Sequence, residues 1–140
     1  MGLMKVRLTR VNDAYGMQAT NEDGQHMLFD ANPSIGGQGL GLRPMEVLAA
    51  SVAACASIDV LLILKKKRIA LRKYEIEIEG QRKEATPAPF VSIHLRVEIH
   101  PEDPLETVEK VVAMSLEKYC SVSASLDPAI PVTFEVTAVA

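Results

Sequence analysis

The longest apolar segment of the chain is PMEVLAASVAACASIDVLLILKKK, which runs from Pro44 to Lys67 and has Cys55 near its middle. Between Val47 and Leu64 it carries a single charge, that of Asp59. Leucine, methionine, alanine and lysine favour the helix, and proline suits a first helical position. Because a helix without a polar stripe is normally buried on nearly every side, we predict a helix that other elements surround.

Short segments of alternating apolar and polar residues lie before this helix. The first, from Met4 to Thr9, has the period of a half-buried strand. Turn residues, including the Asp-Gly pair at 23–24, separate it from two further apolar segments. We therefore predict an antiparallel meander with strands over 4–9, 14–20 and 25–30.

Two further strands are predicted after the helix. Tyr74–Glu79 alternates apolar with acidic residues, and Gly80–Pro89 is a polar hairpin loop with two prolines. Phe90–His100 has the clearest alternation in the chain, which predicts a strand with one apolar face. That face consists of Val91, Ile93, Leu95, Val97 and Ile99.

A second helix and a last strand complete the pattern. Asp103 is predicted as the helix N-cap with Pro104 at the first position, and the helix ends near Cys120. Its apolar residues recur at helical spacing: Leu105, Val108, Val111, Val112 and Leu116. A turn-rich connection with room for one short helical turn leads to a strand over 132–137.

The predicted element order is β-β-β-α-β-β-α-β, with strands in hairpin-like groups, which is typical of the α+β class. At 140 residues, with no internal repeat and no linker, the chain is predicted to form one domain over 1–140. A net charge of −3, and basic clusters without interleaved aromatic residues, argue against nucleic-acid binding. The first residues, MGLMKVRLTR, lack the apolar core of a signal peptide, so we expect a cytoplasmic protein.

The apolar segment also has to be compared with a membrane span. Its apolar part, Val47–Leu64, barely reaches the ~20 residues that a spanning helix needs, and Asp59 would be costly in lipid. The basic residues Lys65–Arg68 suit a helix C-terminus as well as a membrane flank. We therefore expect a soluble core helix and no membrane partner.

Two other kinds of site are disfavoured by their motifs. The glycine-rich segment Asn32–Arg43 precedes a helix, as phosphate-binding loops do, but contains neither GxGxxG nor a P-loop. His94 and His100 are roughly 20 Å apart on one strand, too far to share a metal ion. No CxxC or HExxH motif is present, so we expect no metal and no cofactor.

The remaining candidates for chemistry are the two thiols, Cys55 and Cys120. A free cysteine is commonly a small buried apolar residue, and that interpretation stays open for both. A reactive thiol instead needs a lowered pKa. Cys55 is too far from the helix start for the helix dipole to lower its pKa, and Asp59, one turn later, disfavours a thiolate. An activating cation would have to come from another element.

The apolar segment with Cys55, followed by Cys120 within LEKYCSVSASLDPAIPVTFEV, resembles the osmotically inducible protein C (OsmC) and organic hydroperoxide resistance family. The element order agrees with that family over nearly the whole chain. The resemblance implies an α+β fold in which two chains intertwine as a homodimer, with the central helices buried together and two thiol sites at the interface.

The resemblance also implies an activity. In hydroperoxide-reducing members the first cysteine attacks the peroxide and becomes a sulfenic acid, and the second condenses with it to a disulfide. A dithiol, such as that of a lipoylated protein, then reduces the disulfide. By position, Cys55 would be the peroxidatic thiol and Cys120 the resolving thiol of a reductase of organic hydroperoxides that defends against oxidative stress.

The sequence departs from the family pattern at the groups that activate the thiol. The family glutamate lies ten residues before the first cysteine, where this chain has Met45; Glu46 comes one residue later, about 180° around the helix from Cys55. No arginine occurs between Val11 and Leu42, which leaves Arg43 as the nearest. The chain thus resembles a less-characterised branch, with Glu46, Arg43 and Asp59 as supporting candidates. The alternative function is binding of an apolar small molecule, or redox sensing, without efficient peroxidase activity.

Overall fold

The computed structural model describes residues 2–140, which group into two compact units that divide between Leu48 and Ala49. The division falls inside the predicted central helix, and the one-domain interpretation stays a prediction. The mixed α+β class is confirmed, because each unit contributes one three-stranded sheet and the helices lie between strands in the sequence.

The first unit contains an antiparallel sheet of three short strands, in the order β1-β2-β3. These are β1 (Val6–Arg10), β2 (Met17–Asn21) and β3 (His26–Phe29). The predicted meander is confirmed, but the prediction that its first strand is half-buried is wrong. Val6 and Leu8 are 58% and 60% exposed. Alternation fixes the direction of side chains, whereas burial also needs a second layer, which residues 2–48 by themselves do not place over β1.

The glycine-rich loop after β3 is organised by a buried carboxylate of the chain itself. Asp30 accepts hydrogen bonds from the backbone N–H groups of Ala31, Gln38 and Leu40, at 2.7, 3.0 and 3.1 Å. The bonds from Leu40 and Ala31 lower the pKa of Asp30 below 3.8, although burial acts in the opposite direction. A Cβ atom on Gly37 would lie 1.8 Å from the Ala31 carbonyl oxygen, so this glycine permits a close backbone approach. Three N–H groups of this loop are therefore bonded to a carboxylate of the chain itself and are not available to a phosphate.

The central helix α1 spans Pro44–Lys66, one residue shorter than predicted. Arg43 is the N-cap, because its carbonyl accepts the first helical bond from Val47, and Pro44 occupies the first helical position. Arg68 adopts φ 60° and its N–H bonds the Lys65 carbonyl, which reverses the chain after the last turn.

The second unit packs α1 and α2 on a sheet whose order is β4-β5-β6. The strands are β4 (Tyr74–Arg82), β5 (Phe90–Ile99) and β6 (Val132–Ala138), and α2 spans Leu105–Met114. β4 and β5 are antiparallel, whereas β5 and β6 are parallel, with the helical segment between them as the crossover. The predicted inner face of β5 is confirmed except at Val91, which lies near the strand end and is exposed.

The core of the second unit joins both helices to the sheet. It consists of Val60, Leu64, Val97, Ile99, Val108, Val111, Val112 and Val136. Only two of these residues belong to α1, and the helix buries one face rather than its whole circumference. Ile58, Leu61 and Leu62 are 68%, 46% and 50% exposed, so the prediction of a helix buried on nearly every side is wrong for the single chain.

α1 is also long and apolar enough to cross a membrane by length and composition alone, and 33% of its most apolar stretch is buried. The buried part includes Val60 and Leu64, which pack in the core against the sheet and α2. A core helix passes the same test of length and composition, so the test does not distinguish the two roles.

The start of α2 differs from the prediction that Asp103 is its N-cap. Pro104 is the N-cap residue and gives no side-chain cap bond. The buried Asp103 carboxylate instead accepts from the backbone N–H groups of Arg72 at 2.9 Å, Lys73 at 3.3 Å and His100 at 2.9 Å. It thus joins the connection after α1 to the turn after β5, two segments about thirty residues apart in the sequence.

Asp103 is expected to make the stability of the protein acid-sensitive. Burial acts to raise the pKa of Asp103, but the backbone bonds from Arg72, His100 and Lys73 outweigh it and lower the pKa below 3.8. Because the folded-state pKa is below the unfolded one, the stabilisation is complete above about pH 4 and is lost as the pH falls through the folded pKa. We expect Asp103→Asn to lower the urea midpoint of unfolding at pH 7. Between about pH 4 and pH 2 the midpoint of the variant should fall less than that of the wild type.

The matched control is Asp127→Asn, since Asp127 is exposed and its carboxylate accepts from the N–H of Ala129, two residues later. An Asp103→Asn variant whose midpoint falls with acid as steeply as that of the wild type would show that this carboxylate does not carry the effect.

Candidate active site at two cysteines

Cys55 and Cys120 are both free thiols in the second unit, and they differ in accessibility. Cys55, on α1, is half-buried, whereas Cys120 is buried with 3% of its surface exposed. The two are not at disulfide distance. A disulfide between them therefore requires a local movement of at least one of the two residues.

The Cys120 thiol is fixed by hydrogen bonds on both sides. Its S–H donates to the carbonyl oxygen of Val52 on α1, with Sγ and O 3.8 Å apart. Its sulfur accepts from the N–H of Ser123 at 3.5 Å, so that Cys120 is the N-cap of the short helix α3 (Ser121–Ala124). This turn confirms the short helical turn predicted before the last strand.

A π-helical turn, Ser115–Tyr119, connects α2 to Cys120. The N–H of Cys120 donates to the carbonyl of Ser115 at 2.8 Å, five residues earlier. The Ser115 hydroxyl has two acceptors on α1 within hydrogen-bond distance. These are the Ala56 carbonyl oxygen at 3.1 Å and Asp59 Oδ2 at 3.3 Å. The turn that carries Cys120 is therefore attached to α1 at both of its ends.

Helix geometry places Cys55 between two surfaces of α1, one that contacts the Cys120 segment and one that is exposed and apolar. The three α1 residues that bond the Cys120 segment, Val52, Ala56 and Asp59, lie about 40° to 100° to one side of Cys55. On the other side, within about 120°, lie the exposed residues Ile58, Leu61 and Leu62. Cys55 thus has the second thiol's segment along one edge and an apolar, exposed surface along the other.

The structure gives Glu46 a role other than thiol activation. Glu46 Oε1 accepts from the N–H of Arg43 at 2.8 Å, which is one half of a capping box at the start of α1. Arg43 enters this bond through its backbone, and within residues 2–140 its side chain forms no hydrogen bond or salt bridge. Arg10 bonds the carbonyls of Asp13 and Ala14 in the turn after β1. The supporting roles of Glu46 and Arg43 stay predictions.

Sequence reasoning did not single out Ser115, although a signal was present. Ser115 continues the apolar stripe of α2, since it lies four residues after Val111 and three after Val112. A hydroxyl in such a stripe is buried and needs a partner. The partner is on another element, at Ala56 and Asp59, and helix periodicity carries no information about it.

No group of three or more His, Cys, Asp or Glu residues within 2–140 has the arrangement of a metal site. The chain is thus an α+β protein with two free thiols, Cys55 on the long helix α1 and Cys120 on a turn that bonds the same helix at Val52.

Comparison with known proteins identifies the family. The sequence profile described as "OsmC-like protein" matches residues 37–135, which include both cysteines. Protein YhfA of Escherichia coli K12 is 34% identical over 98 residues, which are 69% of this chain and 73% of YhfA. The chain therefore belongs to the OsmC-like family, as the sequence resemblance indicated, and this membership supports a redox or peroxide-related function.

Solved structures confirm the fold over the whole chain. A hypothetical protein from Aquifex aeolicus VF5 has a TM-score of 0.79 at 29% identity, with 100% of both chains covered. An organic hydroperoxide resistance protein OsmC from Legionella pneumophila has a TM-score of 0.70 at 19% identity, with 98% of this chain and 99% of that chain covered. At 19% identity the second likeness concerns the fold alone.

Proposed function

We propose that this protein reduces organic hydroperoxides with a pair of thiols, Cys55 as the peroxidatic and Cys120 as the resolving residue. The observation that carries the proposal is the position of Cys55 between an exposed apolar face and the segment of a second thiol. The family supports the reaction class, and the Legionella pneumophila protein of the same fold is an organic hydroperoxide resistance protein.

The reaction has three steps: oxidation of Cys55, formation of the disulfide and reduction of the disulfide. The Cys55 thiolate attacks one peroxide oxygen, so that an S–O bond forms, the O–O bond breaks and the alcohol leaves with a proton. The Cys120 sulfur then attacks the Cys55 sulfur, and water leaves as the disulfide forms. A dithiol, such as that of a lipoylated protein, reduces the disulfide by two exchange steps and is itself oxidised.

The surroundings of Cys55 favour an apolar substrate. Leu62 and Ile58 lie about 20° and 60° from Cys55 on the exposed side of the helix. Burying alkyl or aryl groups of a hydroperoxide against them contributes roughly 25 cal/mol per Å² of apolar area. Hydrogen peroxide has no such group, and we expect it to react more slowly.

A second copy of the chain is the proposed partner at the exposed face of α1. Ile58, Leu61 and Leu62 form a contiguous apolar surface on one helix, and such surfaces mark protein interfaces. In a homodimer the two helices would cover each other and enclose the thiol sites from water. We further propose that the dimer is cytoplasmic, where thiols are kept reduced.

A specific observation favours the alternative function, binding of an apolar small molecule or redox sensing without efficient peroxidase activity. Within residues 2–140, no hydrogen bond joins the Cys55 sulfur to a cationic side chain, and Glu46 caps the helix. If the dimer supplies no cation near Cys55, the thiolate that attack on a peroxide requires has no opposite charge to stabilise it.

The test is oxidation of the fully reduced protein with one equivalent of an organic hydroperoxide such as cumene hydroperoxide. The intact mass should fall by two hydrogens, and digestion should give a peptide pair joined through Cys55 and Cys120. Reduction with a dithiol should restore both thiols. Protein that stays a free dithiol under this treatment is not a peroxidase, and the alternative function would then stand.

A further inference from the structure

Ser115 is a buried polar residue that the reaction as described does not use. It is 0% exposed, and its side chain lies in the apolar stripe with Val111 and Val112. A buried hydroxyl is tolerated when it is bonded, and this one donates toward the Ala56 carbonyl and the Asp59 carboxylate on α1. The side chain therefore anchors the end of α2 to the helix that carries Cys55.

The backbone of the same residue anchors Cys120. In a regular helix the N–H of Cys120 would bond the carbonyl of Leu116, but here it bonds that of Ser115. This π-type bond inserts one additional residue into the turn and so changes the direction in which the following residue points. Single π turns of this kind occur frequently at functional sites.

The two anchors together fix where the Cys120 thiol lies. Ser115 is attached to α1 at Ala56 and Asp59, and Cys120 is attached at Val52. Along the axis, Val52 lies ~4.5 Å before Cys55 and Asp59 ~6 Å after it. The Ser115–Cys120 segment therefore runs past Cys55 on one side and holds the second thiol against α1 at Val52, about one turn before Cys55.

We propose that Ser115, bonded to Asp59, is a positioning residue that sets the rate at which Cys120 forms a disulfide with Cys55. The proposal rests on the proposed function for its biological meaning, but the rate itself is a property of the thiol pair. Without the hydroxyl, the π turn loses its attachment at Ala56 and Asp59 and keeps only the weak bond of Cys120 to Val52, so that the Cys120 thiol occupies a wider range of positions. Attack on the peroxide by Cys55 does not involve the turn.

The experiment compares Ser115→Ala with the wild type in a single turnover with tert-butyl hydroperoxide and dimedone, which traps sulfenic acid. We expect the first-turnover peroxide consumption to be unchanged, disulfide formation to slow about tenfold, and the trapped Cys55 adduct to increase accordingly. Ser115→Thr, which keeps the hydroxyl, should restore the rate. Ser125→Ala is the matched control, because Ser125 is exposed and its hydroxyl donates to the Ser121 carbonyl within the same segment.

A second arm does not depend on peroxide reactivity. An aromatic disulfide converts Cys55 into a mixed disulfide, and Cys120 then displaces the second aryl thiolate, which is measured by its absorbance. We expect Ser115→Ala to slow this release by a similar factor. If Ser115→Ala does not fold, Asp59→Ala removes one of the two acceptors of the Ser115 hydroxyl from a half-buried position and should slow the release in the same direction by a smaller factor.

The outcomes separate the two proposals. Wild-type protein that reacts with the aromatic disulfide and not with the hydroperoxide contradicts the peroxidase function and leaves the positioning role measurable in the second arm. Disulfide formation in Ser115→Ala at the wild-type rate in both arms overturns the positioning role.

Discussion

Substituting Cys55→Ser is expected to remove hydroperoxide consumption, with a loss of about 10³-fold or more in kcat/KM. The serine hydroxyl is nearly isosteric with the thiol, but it is far less acidic and its oxygen does not form a stable oxidised state with the peroxide oxygen. Because the nucleophile forms the covalent intermediate, its loss removes the whole catalysed route. The measurement is the rate of loss of cumene hydroperoxide with a dithiol reductant in excess.

Cys120→Ser is the informative companion to this substitution. It keeps the peroxidatic thiol and removes the resolving one, so one equivalent of peroxide should be consumed and a sulfenic acid should persist on Cys55. Circular dichroism and the thermal midpoint of both variants verify that they fold. Equal peroxide consumption by Cys55→Ser and the wild type would mean that another group reacts, and the thiol mechanism would be wrong.

Introducing a charge on the exposed face of α1 should convert a dimer into monomers. Leu62 is 50% exposed in the single chain and lies next to Ile58 and Leu61. In a two-fold symmetric dimer the Leu62→Glu substitution occurs twice in the interface, and each carboxylate would lose its hydration without a partner. A penalty of roughly 2 kcal/mol per copy raises the dissociation constant by about 10³-fold.

Analytical ultracentrifugation provides the readout, because the monomer mass is 15.2 kDa and the dimer has twice that mass. Gln81→Glu adds the same charge on the exposed end of β4 and should leave the dimer intact. A wild-type protein that sediments as a monomer at all concentrations would contradict the proposed partner. If the wild-type protein instead sediments together with lipid vesicles, the apolar face of α1 contacts a membrane.

The sequence predicted the elements better than it predicted their burial. The helix starting at Pro44 and the strand from Phe90 agree with the structure within about one residue, and the connection after Cys120 contains the short helical turn for which it had room. These predictions rest on local chemistry, namely a proline at the helix start, strict alternation and turn residues. The burial of Ile58 or Val6 depends instead on which layer covers it, and a local pattern carries no information about that layer.

Two buried polar residues, Asp103 and Ser115, also have partners that local sequence patterns did not predict. Asp103 preceding Pro104 has the local pattern of a cap, but backbone N–H groups about thirty residues away bind its carboxylate. Ser115 bonds α1 from a position more than fifty residues later in the chain. Local patterns do not encode such pairings, so the sequence identified the two thiols and missed the contacts that place the second one.

The parallel pairing of β5 with β6 restricts the positions that Cys120 can take relative to Cys55. The segment with α2, the π turn and Cys120 leaves the sheet at Ile99 and returns at Val132, where the strands pair in register. Its ends are therefore fixed, and Cys120 explores only the volume of a closed loop over α1. The effective concentration of one thiol at the other is set by this closure and not by the amount of protein. Oxidation should consequently join the two cysteines within a chain even in a concentrated solution, where links between chains would otherwise compete.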